Sequence, residues 1–88
     1  MANWRYVVTP HAERDLRRLD AQGRARVFDA LDRYVAKRQR GDVKKLQGSD
    51  NEWRLRVGNW RVRFRVDTQE AVVVILAVRS RREAYREG

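Results

Sequence analysis

Arg54, Arg56, Arg61, Arg63 and Arg65 take alternate positions between Trp53 and Val66. Trp53, Leu55, Val57, Trp60, Val62, Phe64 and Val66 fill the other phase. A guanidinium is a planar fork of donors that meets phosphate in bidentate, charge-assisted pairs. A row of them on one surface is chemistry for a polyanion. The plainer reading is a solvated outer face of a sheet, but such faces usually mix polar residues, and here every outward position around the turn is arginine. Like charges placed directly across from each other destabilise a strand pair, so the row points to an anionic partner.

Strict alternation is the period of a strand with one face buried. Gly58-Asn59 between the two runs is a two-residue hairpin signal. The turn sets Val57 opposite Trp60, Arg56 opposite Arg61, Leu55 opposite Val62 and Arg54 opposite Arg63. Glu52 then falls opposite Arg65, and no acid is set against the inner pairs. Trp53, Trp60 and Phe64 lie in the apolar phase and read as core rather than as a platform for stacked bases.

Other elements must hold this hairpin. Trp4–Thr9 reads as an opening strand. Thr9-Pro10 is an N-cap followed by proline at the first helical position. Ala12, Leu16 and Leu19 follow at helical spacing, and Asp20–Gly23 is a break. A second helix is expected from about Arg24 to Arg38, with Val27, Phe28, Leu31, Tyr34 and Val35 as its apolar stripe. Asp29–Arg33 is an i,i+4 ion pair, and Asp32 reads as a solvated helix charge. Gly41-Asp42 ends the helix, and a connection carrying Lys44, Lys45 and Gly48 leads to the hairpin. A second turn falls at Asp67–Glu70. Ala71–Val78 is almost wholly aliphatic, the pattern of a strand covered on both faces. The remaining segment, Arg79 to Gly88, is charged, and Arg81 and Tyr85 on it leave the sheet near one edge of the arginine face. The order β-α-α-β-β-β predicts an α+β fold of two layers, an antiparallel sheet with a helical pair packed on one face. The position of the first strand is not set by periodicity.

The 88 residues form one domain, residues 1–88, with formal charge +9 from 21 basic and 12 acidic side chains. A domain of this size buries only about 60–65% of its unfolded surface. The charge favours nucleic acid as partner. An anionic membrane is the competing surface, weakened by the absence of a long apolar run, a lipidation signal or a secretory start. With no cysteine and one histidine, neither a disulfide framework nor a zinc site is expected, and no cofactor motif is present. These features suit a cytoplasmic domain. His11 stands in the first turn of a helix, where a surface or capping role is the plainer reading. Ser49 and Ser80 have no adjacent base to activate them.

Taken in order, these pieces resemble the RelE/ParE superfamily of bacterial type II toxins. The resemblance covers almost the whole chain. It rests on Thr9-Pro10 opening a helical pair, on Lys45-Leu46-Gln47-Gly48, and on Trp53-Arg54-Leu55-Arg56-Val57-Gly58-Asn59-Trp60-Arg61-Val62. The aliphatic strand and Arg81-Arg82-Glu83-Ala84-Tyr85-Arg86 complete it. In the RelE-like branch, the resemblance implies a metal-independent endoribonuclease that cuts messenger RNA in the ribosome. The ribose 2′-hydroxyl attacks the adjacent phosphate and leaves a 2′,3′-cyclic phosphate and a 5′-hydroxyl. Carried over by position, Arg61 binds and orients the phosphate, Arg81 stabilises the developing charge, and Tyr85 stacks on or activates the substrate. Arg54, Arg56, Arg63 and Lys45 are the candidate substrate contacts. The chain departs from the pattern where relatives carry lysines, here Arg54 and Arg56, and where many carry a histidine, here Ser80. Arginine is essentially never deprotonated, so Tyr85 is left as the proton-transfer candidate. The ParE-like branch implies instead an inhibitor of DNA gyrase with no chemistry of its own. Both imply a cognate antitoxin with an acidic or amphipathic segment.

Overall fold

The structure is a computed structural model, and it describes residues 3–37, 42–48 and 50–80. Strand β1 (Arg5–Val8) runs into helix α1 (Pro10–Arg17) and helix α2 (Ala21–Lys37). Strands β2 (Val43–Lys45), β3 (Trp53–Val57), β4 (Trp60–Asp67) and β5 (Val72–Ser80) follow. The sheet order is β1-β5-β4-β3-β2, with the helices on one face. The two-layer α+β arrangement is as the sequence predicts. The sheet is mixed, however, because β1 lies parallel to β5 while every other pair is antiparallel. The connection through Lys44 and Lys45 is itself the short edge strand β2, paired with β3.

Local chemistry sets the helix ends. The Thr9 hydroxyl accepts from Ala12 N at 3.2 Å, with Pro10 behind it as the first helical residue. The Asp20 carboxylate accepts from Gly23 N at 2.7 Å. Asp20 is thus the cap of α2, which begins three residues before the expected Arg24. Arg24 turns back to donate to Leu16 O at 3.1 Å and Leu19 O at 3.0 Å, satisfying carbonyls at the end of α1. Asp29 pairs with Arg33 as the spacing predicts. The expected end of α2 at Arg38 and Gly41 lies outside the described residues. No helix among the described residues is long and apolar enough to cross a membrane.

The core lies between the helices and one face of the sheet. Ala12, Leu16 and Leu19 of the first helical segment and Val27, Leu31 and Tyr34 of α2 meet Leu55, Val62, Phe64, Val73, Ile75 and Val78. The Tyr34 and Phe64 rings stand 5.3 Å apart at 54°. Asp32 is exposed, as the sequence predicts, and it accepts from the Tyr6 hydroxyl. Burial first, then the Asp32 charge and this hydrogen bond, raise the Tyr6 pKa above its ordinary value.

One irregularity decides what the far face presents. Pairing between β4 and β5 shifts from Arg63 opposite Ala77 to Phe64 opposite Ile75, leaving Leu76 as a bulge. Side chains alternate along a strand, so one extra residue exchanges the two faces beyond it. Val73 and Ile75 face the helices before the bulge, and Val78 does so after it. Without the bulge Arg79 would point into the core. With it, Arg79 stands beside Arg61 on the outer face.

Strand β1 ends at Val8, so among the described residues no strand lies along this stretch of the β5 edge. Helix α1 supplies the missing partners. Thr9 N and Thr9 Oγ1 donate to Ile75 O at 3.1 and 2.8 Å. The Asp15 carboxylate, 6% exposed, accepts from Val78 N at 2.9 Å and lies 3.9 Å from Arg79 Nε. A buried carboxylate is retained only where donors meet it, and these do. Asp15→Ala leaves the Val78 N–H buried and unsatisfied and is expected to lower stability by about 2–3 kcal/mol. Asp15→Asn, which keeps an acceptor, should recover part of that loss in urea denaturation. Equal midpoints for wild type and Asp15→Ala would exclude this anchoring role.

Candidate functional site

The hairpin closes as its sequence demands. Gly58 has φ +56° in the turn, and the pairs Val57–Trp60, Arg56–Arg61, Leu55–Val62 and Arg54–Arg63 all form. Partners across a ladder share a face, so Lys44, Arg54, Arg56, Arg61, Arg63, Arg65 and Arg79 all lie on the side away from the helices. Asp67 is the carboxylate within that phase of β4.

The row is not uniformly free. Arg63 Nη2 donates to Glu52 at 2.8 Å, and Arg56 Nη2 to Asp42 at 3.2 Å. The sequence sets Glu52 against Arg65, and here the structure differs. The Asn51 side chain accepts from Val66 N at 3.2 Å and donates to Val66 O at 2.7 Å. This amide stands in for a strand residue, ends the ladder at Trp53, and leaves Glu52 to turn inward. Asp42 arrives beside Arg56 because β2 pairs with β3, and Arg56 N also donates to Asp42 O. The inner arginines therefore do have acids at their rim.

Arg61 is the most enclosed of the set, at 9% exposure. Its Nη1 donates to Gly58 O at 3.2 Å and Trp60 O at 3.1 Å. The hairpin turn thus holds the guanidinium against the sheet and reduces its rotamer freedom. Arg54 is half-buried, and its Nε and that of Arg63 are buried donors without a hydrogen-bond partner among the described residues. Both Nε atoms are shielded from solvent, so an anion on this face would meet the outer nitrogens of the two guanidiniums. Arg65 is exposed.

Of the residues singled out from the sequence, Arg54, Arg56, Arg61 and Arg63 share the outer face. Lys45 does not: it falls opposite Trp53 in the other phase, its Nζ 5.9 Å from the Trp53 ring centre. Lys44, opposite Arg54, takes that place on the arginine face. A three-residue edge strand carries too little periodicity to reveal its phase. Arg81 and Tyr85 lie outside the described residues. Arg79, missed by the sequence reading, joins the cluster through the bulge, and its Nη2 meets His11 Nε2 at 3.3 Å.

Residues 6–85 match the family described as the ParE toxin of the type II toxin–antitoxin system parDE. A protein of Methanocaldococcus jannaschii named as toxin RelE1 is 33% identical over 49 residues, 56% of this chain and 54% of that protein. The match spans about half the length of that curated relative. Among solved structures, the RelBE2 toxin–antitoxin complex of Mycobacterium tuberculosis aligns with a TM-score of 0.78 and 26% identity, covering 90% of this chain and 99% of that one. The RelE–RelB complex of Pyrococcus horikoshii aligns at 0.77 and 25%, covering 91% and 97%. Free RelE toxin of E. coli, in a mutant form, aligns at 0.74 and 21%, covering 99% and 94%, a likeness of fold.

Proposed function

The chain belongs to the ParE toxin family of type II toxin–antitoxin systems, and from that premise we propose that it is a RelE-like endoribonuclease acting on messenger RNA at the ribosome. The observation that carries this reading is the outer sheet face, where Arg54, Arg61, Arg63 and Arg79 stand in facing pairs with Arg61 fixed by the hairpin turn. Attack by a 2′-hydroxyl on the adjacent phosphate builds negative charge on the non-bridging oxygens. Preorganised cations lower that barrier more than any covalent nucleophile does, because they are oriented before charge develops. Arg61 orients the phosphate, Arg54 and Arg63 set guanidinium charge beside its oxygens, and Arg81 stabilises the transition state. Tyr85 stacks on the substrate base. Arg56 and Lys44 steer the backbone from the periphery.

The cognate antitoxin is the second partner. The solved neighbours from M. tuberculosis and P. horikoshii are toxin–antitoxin complexes, and the charge of +9 favours an acidic segment that covers the arginine face. The toxin acts in the cytoplasm, where ribosomes are.

The family description names parDE, and this favours a second reading, inhibition of DNA gyrase without RNA chemistry. Purified protein mixed with programmed ribosomes separates the two. Cleavage within the bound message, leaving 2′,3′-cyclic phosphate and 5′-hydroxyl ends and lost in Arg81→Ala, supports the nuclease. Intact message together with blocked gyrase supercoiling supports the second reading.

A further inference from the structure

The two edges of the sheet are built differently. Strand β2 is three residues long, and its Lys44 and Lys45 are exposed. A short edge strand bearing lysines discourages further pairing, which is how natural sheets avoid edge-to-edge association. Strand β1, Arg5-Tyr6-Val7-Val8, has no such guard beyond Arg5 at its start. Arg5 N donates to Ala71 O at 3.2 Å and Thr9 N to Ile75 O at 3.1 Å. Peptide groups alternate along a strand, so Arg5, Val7 and Thr9 turn theirs toward β5. Tyr6 and Val8 then direct N–H and C=O outward, to a side where no strand lies among the described residues. Those backbone groups are ready to pair.

Apolar surface flanks this edge on both sides. On the outer face Val7 is 39% exposed, the one large hydrophobic side chain so open among the described residues. On the helical face Val8, Leu16 and Phe28 line an open groove of about 440 Å³ between β1, α1 and α2. Arg17 and Arg24 also line it, together with Glu13, which pairs with Arg17. Arg5 is exposed. A strand added here would bond to Tyr6 and Val8 and send alternate side chains into the groove and over Val7. It would meet Arg5 along the edge and Arg17 beside the groove. The segment that fits is apolar at its centre and acidic at its flanks. A second copy of this chain fits poorly, because each copy carries +9.

We propose that an extended segment of the cognate antitoxin, apolar at its centre and flanked by carboxylates, docks on β1 as a sixth strand of the sheet. The inference rests on the antitoxin partner named above and holds whichever target the toxin attacks. Backbone hydrogen bonds to Tyr6 and Val8 supply affinity, while the groove and Val7 select the alternate side chains. From this edge the rest of the antitoxin reaches the arginines of β4 and β3 across β5.

The test combines amide hydrogen exchange of the purified chain, alone and with the antitoxin encoded beside it, with antitoxin binding by Val7→Lys and Val8→Pro. In the free chain the Val7 amide should be protected by β5 while Tyr6 and Val8 exchange fast. In the complex all three should be protected. Lysine at position 7 guards the edge as lysines guard β2, and proline at position 8 removes an N–H that points away from β5. Each should weaken antitoxin binding by about tenfold or more. Val7→Lys should also arrest growth in cells whose antitoxin restrains the wild type. Unchanged affinity of Val7→Lys, with Tyr6 and Val8 still exchanging fast in the complex, would overturn the proposal and leave the antitoxin as partner. Protection confined to α1 and α2 would assign the groove to a helix and overturn strand addition. Protected Tyr6 and Val8 amides in a dimeric free chain would assign the edge to a second copy instead. An antitoxin that does not bind the wild type would overturn both the proposal and the partner it rests on.

Discussion

Replacing Arg61 with lysine is expected to slow RNA cleavage by about 10²–10³-fold, the loss that follows removal of one preorganised donor from a developing oxyanion. Lysine keeps the charge, so electrostatic attraction to RNA survives and half-saturation should move little. The planar fork is lost. Arg61 uses part of that fork on Gly58 O and Trp60 O, which aims the rest, and a flexible ammonium cannot both hold the turn and grip a phosphate. The two carbonyls also lose their donor, so stability should fall by about 1–2 kcal/mol. Arg65→Lys is the control on the same face, since Arg65 is exposed. A fall in cleavage shared equally by Arg61→Lys and Arg65→Lys would reduce the row to nonspecific charge.

Phe64→Ala is expected to remove about 3–5 kcal/mol of stability. The ring is wholly buried, tilted against Tyr34 and flanked across the ladders by Trp53 and Ile75. Rigid strands on both sides cannot collapse into the space it leaves. A small domain has only about 5–15 kcal/mol in total, so the urea midpoint should drop by about 2–3 M. The exposed Arg65→Ala should change stability by less than about 0.5 kcal/mol. A loss under 1 kcal/mol at Phe64 would contradict the core placed between α2 and β4. Both substitutions lie on β4, one in each phase, so together they separate the face that folds the protein from the face proposed to act.

Much of this division was legible in the residues. The two-period from Trp53 to Val66 with Gly58-Asn59 at its centre dictates the hairpin register to the residue, because a slip of one would bury every arginine. Thr9-Pro10 marks the start of α1 for the same kind of local reason. Long-range geometry was less visible. The aliphatic run of β5 reads alike on both faces, so nothing in it betrays a bulge at Leu76 or the turn of Arg79 toward Arg61. The parallel placement of β1 depends on Thr9 and Asp15 meeting β5, contacts 63 to 66 residues apart. Lys45 was read from a connection whose three strand residues carry too little periodicity to show their phase, and Glu52 by extending the hairpin phase past the ladder end, where Asn51 sets the geometry instead. The contact of His11 with Arg79 was out of view for the same reason, since the two become neighbours only once β5 has packed against α1.

The most direct measurement is mapping of RNA ends after brief induction of wild type and Arg61→Lys in growing cells. The arginine face as a messenger RNA nuclease predicts new cuts inside translated codons, bearing 5′-hydroxyl ends in the wild type and largely absent in the variant. Growth arrest without new RNA ends, accompanied by DNA-damage signalling, would contradict it and assign the toxin to gyrase.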